Sequence, residues 1–124
     1  MRVEFAQSFG DRLRILEAFI LSQDSQSAPA RIENLRDELL RFIDIVKLHP
    51  KIGRPANGLA AASIEGQRRL EQVLHLASQA GLPELREYVL RGHLLLYAHS
   101  ESRVLMLSIR HQRELGYAPD GDNG

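Results

Sequence analysis

Two neighbouring stretches, "ELREYVLRGHLLLYAH" at residues 84–99 and "RVLMLSIR" at 103–110, carry the strongest structural signal in the sequence. They are rich in Leu, Val and Tyr, which favour strands, and the short segments "RG" and "HSES" interrupt the apolar runs where turns are expected. This pattern predicts a three-stranded antiparallel meander.

The first hairpin of this meander can be aligned from its turn. A two-residue turn at 91–92 would place Tyr88 opposite Leu95 and Arg86 opposite Tyr97. The side chains of directly opposite residues share one face of a sheet, so these four residues should lie on the same face.

The second hairpin can be aligned in the same way. A turn at 100–101 would place Tyr97 opposite Val104 and Leu95 opposite Met106. The two alignments together predict which residues share each face of the sheet.

The two predicted faces differ in composition. One is almost wholly apolar, and we expect helices to cover it. Its residues are Leu85, Val89, Leu94, Leu96, Ala98, Leu105, Leu107 and Ile109, with Glu87 as the exception. The other face mixes apolar side chains with arginine and histidine, and we expect it to be an open platform for a partner. Its residues are Arg86, Tyr88, Leu90, His93, Leu95, Tyr97, Val104, Met106, Ser108 and Arg110.

The N-terminal half predicts a short strand and a helical hairpin. Residues 2–6, "RVEFA", alternate polar and apolar side chains as a strand does. Apolar residues then recur at helical spacing between Phe9 and Ile20 and again between Ile32 and Val46, with a polar loop between the two stripes.

The segment between this hairpin and the meander predicts a loop and one further helix. "HPKIGRPANG", residues 49–58, contains two prolines and two glycines and should be irregular. Apolar residues within 64–80 share a helical face, and Gly81 stands where a helix would stop. The predicted fold class is therefore α+β: strand, helical hairpin, extra helix and meander.

The composition limits the range of functions. Among 124 residues, 16 basic and 16 acidic side chains give a net charge of zero, so no general attraction to nucleic acid or anionic lipid is expected. The chain has no cysteine, and its five histidines show no metal-binding spacing, so we expect neither a metal nor a cofactor. No leader pattern or apolar run suited to a membrane is present, so the expected location is the cytoplasm.

The order of elements and three quoted segments resemble the RelE/ParE superfamily of bacterial toxins. The segments are "HPKIGRP" at 49–55, "ELREYVLRGHLLLYAH" at 84–99 and "VLMLSIRHQRELGY" at 104–117. The last is the most specific, because many ParE-like members end their final strand in Arg-His-Gln-Arg followed shortly by Gly-Tyr. The resemblance implies one small RelE-like domain over residues 1–118, with an inserted helical segment at about 57–81 and a mobile tail at 119–124.

Membership would imply the toxin of a type II toxin–antitoxin system, the class that includes plasmid stabilisation systems. A cognate antitoxin would neutralise it in a hetero-oligomeric complex. ParE-like members poison DNA gyrase without catalysis, whereas RelE-like members cut messenger RNA on the ribosome. The zero net charge favours the ParE-like mechanism, because a protein that docks on ribosomal RNA normally carries a basic excess.

Candidate site residues follow from the predicted platform and from the end of the last strand. A ribonuclease would need a base, an acid and a cation. His111 or His93 could be the base, Tyr97 or Tyr117 the acid, and Arg86 with Arg110 or Arg113 the cation. Arg86, His111 and Arg113 are the main catalytic candidates. The predicted partner-binding residues are Arg86, Tyr88, Leu95, Tyr97, Met106, Arg110, His111 and Arg113. Each also has a structural interpretation, since the arginines could pair with carboxylates and His111 could bond a carbonyl group. A non-toxic interaction domain is the third alternative.

Overall fold

The computed structural model describes residues 1–56, 71–72, 75–82 and 84–111. These residues form an α+β fold in which helices pack on a five-stranded mixed sheet. The elements in chain order are β1 (Arg2–Phe5), α1 (Gln7–Gln23), α2 (Ala28–Leu48), β2 (Arg54–Pro55), β3 (Glu84–Leu90), β4 (His93–His99) and β5 (Arg103–His111). Residues 71–72 and 75–79 are also helical.

The sheet has the strand order β1-β5-β4-β3-β2. Strands β3, β4 and β5 are antiparallel neighbours, as predicted, whereas β1 lies parallel to β5 at one edge. Strand β2, which is not among the predicted elements, pairs with β3 through only two residues at the edge opposite β1. The first and last strands of the described chain are therefore neighbours, and β4 lies in the middle of the sheet.

The helical hairpin has the predicted apolar stripes. Helix α1 buries Phe9, Leu16 and Ile20, and α2 buries Phe42 and Val46 among others. Pro29 lies in the first turn of α2, where its missing N–H group is not needed for helical bonding. Spacing at three and four residues thus places the apolar side chains of both helices toward the sheet.

The predicted register of the first strand pair is confirmed, and that of the second is wrong. Tyr88 lies opposite Leu95 and Arg86 opposite Tyr97. In the second pair, however, Tyr97 lies opposite Met106 and Leu95 opposite Ile109.

The error in the second pair has two local causes. The N–H group of Ser100 bonds the carbonyl of Arg103 at 2.9 Å, so the turn residues are 101–102, one later than predicted. A β-bulge then leaves Leu107 without an opposite residue, because Leu96 pairs with Ser108 while Tyr97 pairs with Met106. A bulge reverses the alternation of faces beyond it, which moves Ile109 to the helix-covered face.

The apolar face is covered by helical residues as predicted, through Ala77, but the prediction that the mixed face is open is wrong. The hairpin packs on the mixed face, and the side chains of Leu95, Tyr97 and Met106 are each 0% exposed. The composition of the two faces could not show which one is open, because the apolar face is covered as well as the mixed face. On the apolar face, Leu96, Ala98 and Leu107 form a second core with Ala77 and Leu82.

The end of the extra helix is confirmed where it is described. Gly81 has φ +71°, its N–H group bonds Ser78, and the N–H group of Leu82 bonds Ala77, all features of a Schellman stop. The other residues predicted for this helix, and the predicted tail at 119–124, lie outside the described residues. No helix within the described residues is long and apolar enough to cross a membrane.

We expect Gly53→Ala to destabilise the protein. A Cβ atom at position 53 would lie 2.6 Å from the carbonyl oxygen of Glu87 and 2.8 Å from the hydroxyl of Tyr97, so strands must move apart. Such overpacking typically costs about 1–3 kcal/mol, which urea unfolding would measure. Gly10→Ala is the matched control: Cβ there would meet nothing closer than 3.9 Å, and replacing a helical glycine should leave stability unchanged or raise it by up to about 1 kcal/mol. An equal loss in both variants would contradict the close packing around Gly53.

Candidate functional site

Two groups of polar side chains lie at opposite ends of the sheet. We call the first the Arg86 cluster, formed by Gly53, Glu84, Arg86, Tyr97 and His99. We call the second the distal strand end, formed by His93, Arg110 and His111, where β5 finishes. Together they hold every described arginine and histidine that was predicted to belong to a site.

The Arg86 cluster forms because β3 and β4 present polar side chains beyond the last turn of α2. All three side-chain nitrogens of Arg86 donate hydrogen bonds. Nη1 bonds the carbonyl of Gly53 at 2.7 Å, Nη2 bonds the carboxylate of Glu84 at 3.0 Å, and Nε bonds Nε2 of His99 at 3.0 Å. The guanidinium group therefore joins β3, β4 and the loop before β2.

Tyr97 reinforces the same junction from the protein interior. Its hydroxyl accepts a hydrogen bond from the N–H group of Gly53 at 2.9 Å and donates one to the carbonyl of Pro50 at 2.8 Å. Burial raises the pKa of Tyr97 above its ordinary value of 10.0, so the hydroxyl keeps its proton and can donate near neutral pH. The ring packs against Phe42 with centroids 5.4 Å apart.

His99 is the most buried member of the cluster, with 3% of its surface exposed. Accepting a bond from Arg86 at Nε2 requires a neutral imidazole whose proton is on Nδ1. Oε2 of Glu84 lies 3.3 Å from the same Nε2 atom. The carboxylate of Glu84 thus contacts both Arg86 and His99, and the hydrogen bond from Arg86 is the main reason that the pKa of Glu84 lies below the ordinary 4.5.

The distal strand end has a different character, because its side chains are half-buried rather than enclosed. The rings of His93 and His111, which lie opposite each other on β4 and β5, meet edge to face with centroids 5.4 Å apart. Arg12 of α1 reaches the same region and donates from Nε to the carbonyl of Ile109 at 3.4 Å. Arginine and histidine side chains from three elements therefore converge at this end.

The structure separates the residues that the ribonuclease interpretation would combine. Arg86 lies opposite Tyr97, whereas His111 lies opposite His93, four residues away along β4. At the rise of a β-strand this corresponds to about 13 Å. The third candidate, Arg113, lies outside the described residues.

The predicted partner-binding residues also have different positions from those expected. Leu95, Tyr97 and Met106 are enclosed under the helices, so the prediction that they belong to an open platform is wrong. Tyr88 is half-buried and packs its ring 4.7 Å from that of Phe42, measured between centroids. Only 15% of the Arg86 side chain is exposed.

Arg110 and His111 are half-buried at the rim of the sheet, where side chains remain accessible. Within the described residues, no group of three or more acidic or histidine side chains is arranged to hold a metal ion.

Sequence reasoning missed Glu84, His99 and Gly53 as members of a cluster. The signal was available for the first two, since the correct register of Arg86 opposite Tyr97 also places Glu84 opposite His99. Gly53 carried no such signal, because its contact with Tyr97 joins residues 44 positions apart in sequence.

We expect Tyr97→Phe to release the loop that contains Gly53. The substitution keeps the ring but leaves the buried Gly53 N–H and Pro50 carbonyl without their partner, at a cost of about 1–3 kcal/mol. Hydrogen exchange measured by NMR should show faster exchange at the Gly53 amide. The Ala56 amide, which bonds the carbonyl of Leu85 at 3.1 Å, is the internal control and should exchange at a rate changed only by the global loss of stability. Unchanged exchange at Gly53 would rule out this role of the hydroxyl.

We expect Glu84→Gln to remove a stabilising effect that depends on pH. Because the pKa of Glu84 is lowered in the fold, its ionised form contributes stability above the ordinary value of 4.5, and this contribution is lost as the pH falls through the lowered pKa. The variant should therefore be less stable than the parent at pH 7, and the difference should shrink toward pH 3 in urea unfolding. Glu101→Gln, in the exposed β4–β5 turn, is the control and should show no such change. A difference for Glu84→Gln that stays constant with pH would contradict the assignment.

A comparison of the sequence with protein-family models found no matching family, and a comparison with curated proteins found no matching protein. An interpretation of function therefore depends on the residues that carry the resemblance and on the geometry of the described sites.

Proposed function

We propose that this chain is the toxin of a type II toxin–antitoxin pair, neutralised by a cognate antitoxin, and that it arrests growth in the ParE-like manner by poisoning DNA gyrase. The observation that carries the proposal is the last strand, which delivers Arg110 and His111 of the Arg-His-Gln-Arg segment to the rim of the sheet. Both the target and the antitoxin would place the chain in the cytoplasm.

The arrangement of elements supports the proposal. The described chain runs through a strand, a helical hairpin and later three antiparallel strands, which is the order on which the resemblance to RelE/ParE toxins rests. The helical residues at 71–72 and 75–79 lie in the segment that the resemblance treats as an insertion. Ala77 among them packs against the sheet face opposite the hairpin.

The environment of Arg86 favours the non-catalytic mechanism over messenger RNA cleavage. A cation that stabilises a phosphorane must have N–H groups available to phosphate oxygens in a substrate-accessible position. The nitrogens of Arg86 already bond Gly53, Glu84 and His99, and its side chain is largely enclosed. His111, the proposed base, lies at the other end of the sheet.

The accessible part of the proposed partner surface is the distal strand end. Arg110 and His111 can offer charge-assisted hydrogen bonds to carboxylates of an antitoxin or to acidic groups on gyrase. A folded partner segment that covers this rim would explain neutralisation through competition for the same side chains. Leu95, Tyr97 and Met106 have no part in this surface, because they belong to the core.

Inducible expression in bacteria that lack the antitoxin tests the proposal. We expect growth arrest, accompanied by gyrase-dependent DNA breaks in vitro and by intact messenger RNA in a ribosome-dependent cleavage assay. The control is Phe42→Asp, which places a carboxylate in the core between Tyr88 and Tyr97 and should unfold the chain. That variant should permit normal growth.

The other outcomes discriminate between the alternatives. Arrest with cut messenger RNA would contradict the gyrase mechanism and favour the RelE-like ribonuclease. Normal growth on expression of the folded parent chain would contradict toxicity and favour an interaction domain.

A further inference from the structure

A group of apolar side chains lies exposed where α2 ends. Ile45 is 38% exposed, Leu48 77% and Ile52 44%. Ile45 and Leu48 are three residues apart in α2, so they are neighbours on one side of its last turn. The N–H groups of His49 and Ile52 bond the carbonyls of Ile45 and His49, each at 2.9 Å, so the chain continues in turns and Ile52 follows Leu48 closely. We call these three residues the 45–52 patch.

The fold does not account for this patch. Helix α2 contacts the sheet through the stripe that includes Leu39, Phe42 and Val46. Ile45 directly precedes Val46, so its side chain is rotated about 100° around the helix axis from that of Val46. Leu48 is the most exposed large apolar side chain of the described residues. Adjacent exposed apolar side chains with no role in the core commonly mark an interaction surface.

Positive charge is concentrated around the patch. Arg41, Lys47 and Lys51 are exposed. Lys51 lies close enough to Glu84 to help lower the pKa of that carboxyl group. Arg41 and Lys47 form no ion pair with another described residue. Lys47 and Lys51 are the only lysines of a chain whose net charge is zero, and Asp44 is the only acidic residue between 41 and 54. This region is therefore locally basic although the protein is neutral.

We propose that the 45–52 patch is a docking surface for an acidic amphipathic segment of a partner protein. An apolar stripe on the partner would cover Ile45, Leu48 and Ile52, and carboxylates beside that stripe would meet the flanking cations. Three apolar side chains in the centre favour a protein over nucleic acid, whose phosphates would leave them uncovered. Three cations opposed by Asp44 are fewer than the clusters of four to eight that bind anionic membranes.

This inference goes beyond the proposed function. The patch adjoins Pro50, whose carbonyl bonds Tyr97, and so lies at the opposite end of the sheet from Arg110 and His111. It requires neither that the partner be an antitoxin nor that the chain be toxic.

NMR titration of the full ¹⁵N-labelled chain tests the proposal with two synthetic probes. One is a 16-residue helical peptide with leucines at helical spacing and glutamates on both flanks, and the other has lysine in place of every glutamate. We expect the glutamate peptide to shift amide signals of residues 41–54 and to bind more weakly as salt concentration rises. The lysine peptide should bind at least tenfold more weakly.

Leu48→Glu and Lys51→Glu should each weaken binding of the glutamate peptide at least tenfold. Leu40→Glu is the matched control, because Leu40 is 61% exposed on the same helix but lies two turns before Leu48. All three positions are exposed, so the variants should fold, and far-UV circular dichroism would verify this.

Four results would overturn the proposal. These are absence of binding at millimolar peptide, equal binding of both peptides, equal weakening by the Leu40 and Leu48 variants, and shifts confined to the distal strand end. Tighter binding to phosphatidylglycerol vesicles or to polyuridylic acid than to the glutamate peptide would likewise overturn it in favour of lipid or nucleic acid. Because the measured quantity is binding by the purified chain, none of these results depends on growth arrest.

Discussion

The hydroxyl of Tyr97 is the contact on which the arrangement of this molecule depends. It bonds Gly53 and Pro50 from inside the core, and so fixes where the chain leaves α2 and returns to the sheet. Arg86 holds the same loop from the solvent side. This double attachment acts together with the pairing of β2 and β3 and with the ion pair between Arg54 and Glu87, which hold the residues after Gly53 on the sheet. One end of the small sheet thereby gains a firm boundary.

Local sequence patterns predicted the helical hairpin and the three strands of the meander, whereas contacts between residues distant in sequence determined the register of β5. The stripes of both helices, the stop at Gly81 and the register across the 91–92 turn were readable because each depends on neighbouring residues. The bulge at Leu107 was not readable, since it depends on how β5 fits β4 and β1 at once. The prediction that one face of the sheet is open failed for a related reason, because each face carries apolar side chains that belong to a core.

The mistaken face changes what the candidate site can be. A platform of Leu95, Tyr97 and Met106 would have offered a partner a broad apolar surface, whereas these three side chains are enclosed and Arg110 and His111 lie half-buried at the rim of the sheet. The register across the first turn already contained the pairing of Glu84 with His99. The packing of Gly53 on Tyr97 could not be read, because it arises only when a loop folds back over residues distant in sequence.

The two edges of the sheet have a consequence for the behaviour of the chain at high concentration. Edge strands with unpaired backbone groups are templates for aggregation, and natural proteins shorten them or place charge and proline on them. Here β2 presents Arg54 and Pro55, and proline has no N–H group to offer an incoming strand. At the opposite edge, β1 is four residues long, and its Glu4 is bonded by Arg103. Growth of the sheet into fibres by strand addition is thus opposed at both sides by side chains that also take part in the fold of the chain.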